Sequence, residues 1–425
     1  MNRTRNVFLL SYVVWLVAIP TALTTGAAEL LQSTGQYIRL TSDLPADETD
    51  TLVASFDAAV PQWIEFWNLP ADSLANWKVD ACVMRDKNAF EREGWIPKNV
   101  PDFPYGYALG SRIWVLAQDS EYYTRHLLLH EGVHSLAFEQ FGGAGPTWFM
   151  EGSAELLATH RGQGADIQVN WVPSDRDSVP YWGRFKLMSQ LRQQGKLPQI
   201  DQVMRYQPSL QGNVEVYGWS WAASMLLHSY PEYRDAFQKA ARNGRDVGAG
   251  FNRKLYESLR KDWPVIAARW RLMCRDLDYG FDWQREQTQI SAADSVWDGQ
   301  PISTKVVADQ GWQSTGVLFQ PGAQLSLLPS GQITVAQTTK PWTSQPAGIT
   351  IEYRSGLPLG QLQMCILPTK TKPDSKNTLE VRAVTEATSF TVPEFCWLLF
   401  RVNDGVGELA DNQGAYEVSI SVDAH

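Results

Sequence analysis

The chain has 425 residues, 44% of them hydrophobic, 12% aromatic and 20% charged, with a formal net charge of -9. That is a globular composition, long enough for two or three domains. No basic run stands out, so nucleic acid is not an expected partner.

Residues 1–28 read as an export signal. "MNRTRN" carries Arg3 and Arg5 and no acid, and the apolar stretch behind it ends in the small, polar run "TALTTGAA". Cleavage is expected after Ala27 or Ala28, which makes the protein periplasmic or extracellular. An uncleaved anchor is the alternative, disfavoured by Pro20 and the small tail. No other segment is long and apolar enough to span a bilayer, so no stable span is expected after cleavage.

"QYIRLTSDL" (36–44) alternates as a strand does. The next segment, to about residue 69, predicts a helix with acids in its first turn and a break or kink at Pro61. "WKVDACVM" (77–84) and "YGYALGSRIWVLAQ" (105–118) predict two more strands, with Gly106 and Gly110 marking where a backbone or ligand comes close. From Asp119 to about Gln284 the pattern is helical. "DSEYYTRHLLLHEGVHSLAFEQF" predicts one long helix stopped by Gly142 and Gly143. "GPTWFMEGSAELLATH" predicts the next, capped by Gly145 with Pro146 at its first position. Past Ala292 short apolar runs alternate with Gly, Pro, Asn and Asp turns, the pattern of a β-sandwich. The expected fold class is α+β, with one mixed domain over 36–288 and an all-β sandwich over 292–425.

Four of the chain's six histidines fall between His126 and His160, interleaved with Glu131, Glu151 and Glu155. Buried His and Glu cost free energy unless paired, so these side chains either face water or surround something. His130 and His134 are four apart on a predicted helix and project from one face, where both imidazoles can reach one metal ion. Glu131 stands where a HExxH site keeps its general base. A charged helix face with two ordinary histidines is the alternative, and a third ligand decides between them. Glu151 opens the following helix behind a Gly-rich turn, and Glu155 lies one turn further on the same face, able to accept the free N–H of a liganding histidine.

"HEGVH" followed by "PTWFMEGSAE" resembles the gluzincin metallopeptidases. The resemblance covers roughly residues 36–285 and implies a zincin-like fold and a peptide or protein substrate. It implies that His130, His134 and Glu151 bind Zn2+, that Glu131 is the general base, and that Glu155 supports the ligands from behind. "YALGSRIWV" sits where that family aligns its substrate by strand addition. Tyr217, in "EVYGWSWAASMLLH", matches a tyrosine that donates to the oxyanion. A packing aromatic is the alternative there. His126, one turn before His130 on the same face, reads as a helix-surface histidine, with a supporting role behind the ligands as the alternative, and His160 and His228 read as structural.

The C-terminal region is similar to the galactose-binding-like sandwich of soluble galactophilic bacterial lectins, in "WQSTGVLFQPG" and in the loop "NDGVGELADNQG". That resemblance implies a Ca2+ site at Asp404, Glu408, Asp411 and Asn412 and a glycan partner. Hard oxygen donors on a Gly-containing loop suit calcium, and an ordinary Asn/Asp/Gly turn is the alternative. Cys365 and Cys396 lie in two apolar strand-like runs, as a disulfide or as two buried thiols.

Overall fold

The computed structural model describes residues 30–210, 212–336, 340–370 and 379–423. The export signal read in residues 1–28 lies outside them. Among the described residues no helix is long and apolar enough to cross a membrane.

The N-terminal region opens with β1 (Leu31–Thr34), β2 (Ile38–Ser42), α1 (Ala46–Phe66), β3 (Val79–Met84), α2 (Lys87–Arg92), β4 (Gly106–Leu109) and β5 (Arg112–Leu116). They build a five-stranded sheet in the order β1-β2-β3-β5-β4, parallel at β2-β3-β5 and antiparallel at both edges. One sheet face carries Val79, Ala81 and Val83 into the main core. The other packs Cys82, Met84 and Trp114 against Phe90 and Phe103. Two sequence expectations change here. The helix does not break at Pro61 but continues to Phe66, because Trp63, Ile64 and Phe66 are buried beyond it and offset the lost backbone bond. The stretch 105–118 is a hairpin rather than one strand, turned at Gly110 with φ +59°.

The helical part follows: α3 (Glu121–Phe141) and α4 (Thr147–Ala158), the short pair β6 (His160–Arg161) and β7 (Gln168–Val169), then α5 (Arg184–Gln193), α6 (Ile200–Val203), α7 (Val214–Ser229), α8 (Pro231–Ala240), α9 (Ala249–Leu259) and α10 (Trp263–Asp276). α3 ends at Gly142, which takes the left-handed conformation. α4 begins one residue later than the sequence suggested, with Pro146 as its cap. Two glycines set the packing. A β-carbon on Gly132 would stand 2.5 Å from the Phe56 ring, and one on Gly152 would stand 2.3 Å from the Ser220 carbonyl. Only glycine lets α1 approach α3, and α7 approach α4, this closely.

The C-terminal region is β-rich: β8 (Ser295–Val296), β9 (Ile302–Val307), β10 (Gln313–Phe319), β11 (Gln324–Ala336), β12 (Trp342–Ser344), β13 (Ile349–Arg354), β14 (Leu357–Leu359), β15 (Leu362–Pro368), β16 (Glu380–Ala383), β17 (Thr388–Thr391), β18 (Cys396–Val402) and β19 (Gln413–Val422). One sheet runs β16-β15-β18-β10-β8. The other runs β12-β11-β19-β9, with β17 also on β11. Their inner faces share a core of residues such as Leu325, Leu362, Leu398 and Val418. β18 is buried along its whole length. Its outer side chains Trp397 and Leu399 pack with Val265, Ala268 and Leu272 of α10, so the two regions share an apolar seam. The four cysteines are free and buried. Cys365 pairs in register with Leu399, and Cys396 with Pro368, which offsets the two sulfurs along the ladder and rules out the Cys365–Cys396 disulfide here.

Candidate metal centre

α3 is buried almost continuously from Tyr122 to Leu136, so its histidines and Glu131 must find partners inside the protein. The turn at Gly142–Pro146 brings α4 against it and Glu151 onto the two imidazoles. His130 Nε2 lies 3.1 Å from His134 Nε2 and 3.2 Å from Glu151 Oε2. His134 Nε2 lies 3.6 Å from the same Glu151 oxygen. Tetrahedral zinc with bonds of about 2.0–2.1 Å would hold its donors about 3.3 Å apart, so this triangle fits such an ion. The sequence-predicted ligands are thus brought together, and they form a group able to hold a metal ion.

The charges point the same way. Burial alone would keep His130 neutral, yet Glu151 and Glu155 outweigh it and raise its pKa to about 10. Burial pushes Glu151 upward, and His130 and His134 outweigh that and hold it at about 2. Two carboxylates around two imidazoles draw positive charge to one point: without an ion a proton on His130 supplies it, and a bound divalent cation would displace that proton. His134 is the most open of the three, with 11% of its side chain exposed, so the triangle faces outward on that side.

Glu131 stands outside the ligand triangle. It is buried beneath β4, where a β-carbon on Gly106 would meet its carboxylate, and burial raises its pKa. Glu155 sits behind the ligands, with Oε1 3.3 Å from His130 Nδ1. A carboxylate there favours the tautomer with the proton on Nδ1 and leaves the Nε2 lone pair for the metal. Tyr217, on α7, places its ring 5.9 Å from that of His130. Its hydroxyl oxygen accepts from the Gly212 N–H at 3.2 Å, so its own hydrogen remains to be donated.

Two further residues surround Glu155, and of these only Arg184 carried no sequence signal. His126 is not on the surface: it is fully buried, with Nε2 3.3 Å from Glu155 Oε1, because α4 covers that face of α3. Burial lowers its pKa against the pull of Glu155. Arg184, from the start of α5, donates to both oxygens of Glu155 at 2.9 and 3.1 Å. No motif marks it. His160 is structural, as read: its Nδ1 lies 2.7 Å from the Ala158 carbonyl and its Nε2 accepts from Arg125 Nε at 2.9 Å. His228 stacks on Phe66 with ring centres 3.9 Å apart.

In the C-terminal loop Asp404 is buried and accepts from Asn412 Nδ2 at 2.8 Å and from the Gly405 N–H at 2.7 Å. Burial outweighs these bonds and raises Asp404 to about 6. Glu408 pairs with Arg354 Nε at 2.6 Å, and Asp411 is exposed. Trp342, Arg354, Asp404, Glu408 and Asp411 line a cleft of about 450 Å³.

No protein-family model and no curated protein matches the chain. Among solved structures it is similar to the EclA N-terminal domain, a PllA-like lectin, at 22% identity and a TM-score of 0.23, over 29% of this chain and 96% of that one.

Proposed function

We propose that the protein is an exported zinc-dependent peptidase of the zincin type. The observation that carries this is the triangle of His130, His134 and Glu151, with a separate buried carboxylate, Glu131, against the edge strand β4. A zinc ion held there supplies electrophilic activation of water and of a carbonyl. Glu131 takes the proton of the attacking water and delivers it to the leaving amine. The Tyr217 hydroxyl donates to the oxyanion. The outer edge of β4 offers backbone groups to an extended peptide, and its Gly106 end lies beside Glu131, which favours a peptide over a compact substrate. Export belongs to the proposal through residues 1–28.

The C-terminal region is proposed to attach the enzyme to a glycan through the Trp342–Asp404 cleft, where an aromatic face lies among polar groups. Calcium is left out of this reading. Arg354 ties down the Glu408 side chain, and the cleft's aromatic and polar lining carries the proposal without an ion.

The test is metal analysis of the purified protein with hydrolysis of denatured casein. About one zinc per chain is expected, with turnover abolished in Glu131→Gln while the zinc stays. Full activity in Glu131→Gln would remove the assigned base. Zinc without turnover on diverse peptides would favour a surface-binding protein on a zincin scaffold.

A further inference from the structure

We propose that Arg184 is the positioning residue of the metal centre: it clamps Glu155, which orients His130, and it lies across Tyr217, so one guanidinium sets the liganding histidine against the oxyanion donor. This rests on the peptidase reading above.

Arg184 is 5% exposed. Its Nη2 and Nε donate to the two oxygens of Glu155, and its Nη1 donates to the Trp182 carbonyl at 3.0 Å. That fork fixes the plane of the Glu155 carboxylate, which a point charge would leave free to turn. The oriented Oε1 then faces His130 Nδ1 and His126 Nε2 at 3.3 Å each. On its other side the guanidinium carbon lies 5.4 Å from the centre of the Tyr217 ring. The chain from the metal ligand to the oxyanion donor therefore runs His130, Glu155, Arg184, Tyr217, its first step an ion-pair contact at 3.3 Å and its last a contact between guanidinium and ring face.

The backbone before Arg184 carries an independent sign. The chain enters α5 through two left-handed residues, Tyr181 at φ +68° and Gly183 at φ +62°. Glycine adopts that conformation freely, and tyrosine does so at a cost. The Tyr181 side chain is 67% exposed, so its own burial does not compensate. Strain of this kind persists where neighbouring structure dictates it. The turn seats Trp182, fully buried, and directs Arg184 into the interior. A buried ion pair is a weak source of stability compared with apolar side chains of the same size. Its value here lies in the geometry it imposes on His130.

The test uses the full chain loaded with zinc, or with cobalt as a spectroscopic probe. Arg184→Lys keeps the charge and loses the fork. It should bind zinc 10- to 100-fold more weakly, the range for lost supporting contacts to metal ligands. The cobalt visible spectrum should shift, and kcat should fall with KM nearly unchanged. The double variant E155M/R184M replaces the pair with apolar volume. It should melt near the wild type yet keep the weakened zinc affinity, and it carries the test if Arg184→Lys does not fold. Wild-type zinc affinity and cobalt spectrum in either folded variant would overturn the inference and leave the peptidase reading intact. A wild-type protein that takes up neither metal would overturn both.

Discussion

Gly106 lies so close to Glu131 that a β-carbon at Gly106 would stand 2.6 Å from Glu131 Oε1 and 2.9 Å from its Cγ. The edge strand thus forms the wall against which the buried carboxylate rests. Any side chain at 106 must push that carboxylate away, since both neighbours are fixed by secondary structure.

Gly106→Ala therefore moves the base without touching a ligand. A displacement of about 1 Å in a catalytic group costs on the order of 100-fold in rate. The expected result is kcat down by about that factor with zinc content unchanged, read from peptide hydrolysis and metal analysis. Wild-type kcat in Gly106→Ala would mean that β4 does not hold Glu131 in its working position.

Tyr217→Phe removes one hydroxyl and leaves the ring beside His130. The Gly212 N–H occupies the oxygen of that hydroxyl but not its hydrogen, so the deletion removes a donor. Loss of one oxyanion donor typically lowers kcat by about 10²–10³. KM and bound zinc should stay as in the wild type. A fall in activity that follows a fall in zinc content would make Tyr217 a packing residue instead.

The His130–His134–Glu151 cluster was legible because α3 and α4 are regular. Four-residue spacing puts His130 with His134 and Glu151 with Glu155 on single faces, and polar groups among Leu128, Leu129 and Val133 stand out. The same periodicity placed His126 on the His130 face but could not show that α4 covers that face. Arg184 was illegible for a different reason. It reaches Glu155 from 29 residues away across an irregular stretch whose path depends on left-handed turns. The strand content of the C-terminal region was readable from its turns, whereas register was not. Period-2 alternation placed Cys365 and Cys396 in strands without fixing which residues face each other.

The C-terminal cleft gives a prediction separable from catalysis. Trp342 is its aromatic wall. Trp342→Ala should weaken retention on immobilised polysaccharide about tenfold, the scale of one lost aromatic contact, with soluble-peptide hydrolysis unchanged. Chelation by EGTA should leave retention as it was, because the contact assigned to Trp342 and the cleft's polar side chains needs no ion. Retention that collapses in EGTA and returns with calcium would place an ion at Asp404 and overturn this part of the reading.

The seam between the two regions predicts a pH dependence. Arg401 of β18 lies between two buried acids, 3.2 Å from Asp276 Oδ2 and 3.4 Å from Glu286 Oε1. Trp312 Nε1 also donates to Asp276 at 2.6 Å. Burial pushes Glu286 from 4.5 up to about 7 despite Arg401, and Asp276 adds to the rise. Asp276 is itself held below its ordinary value, with Arg275 and Arg401 outweighing burial, so it stays ionised above pH 5 and adds no slope. A carboxyl raised on folding binds its proton more tightly in the native state. Its contribution is complete below pH 4.5 and is lost as pH rises through 7, by at most about 3 kcal/mol at 1.36 kcal/mol per unit. Glu286→Gln keeps a neutral group of the same shape and should remove that slope. In urea unfolding followed by tryptophan fluorescence, the variant should gain on the wild type between pH 5 and pH 8. Parallel stability curves for the two proteins across that range would show that Glu286 does not titrate in the seam.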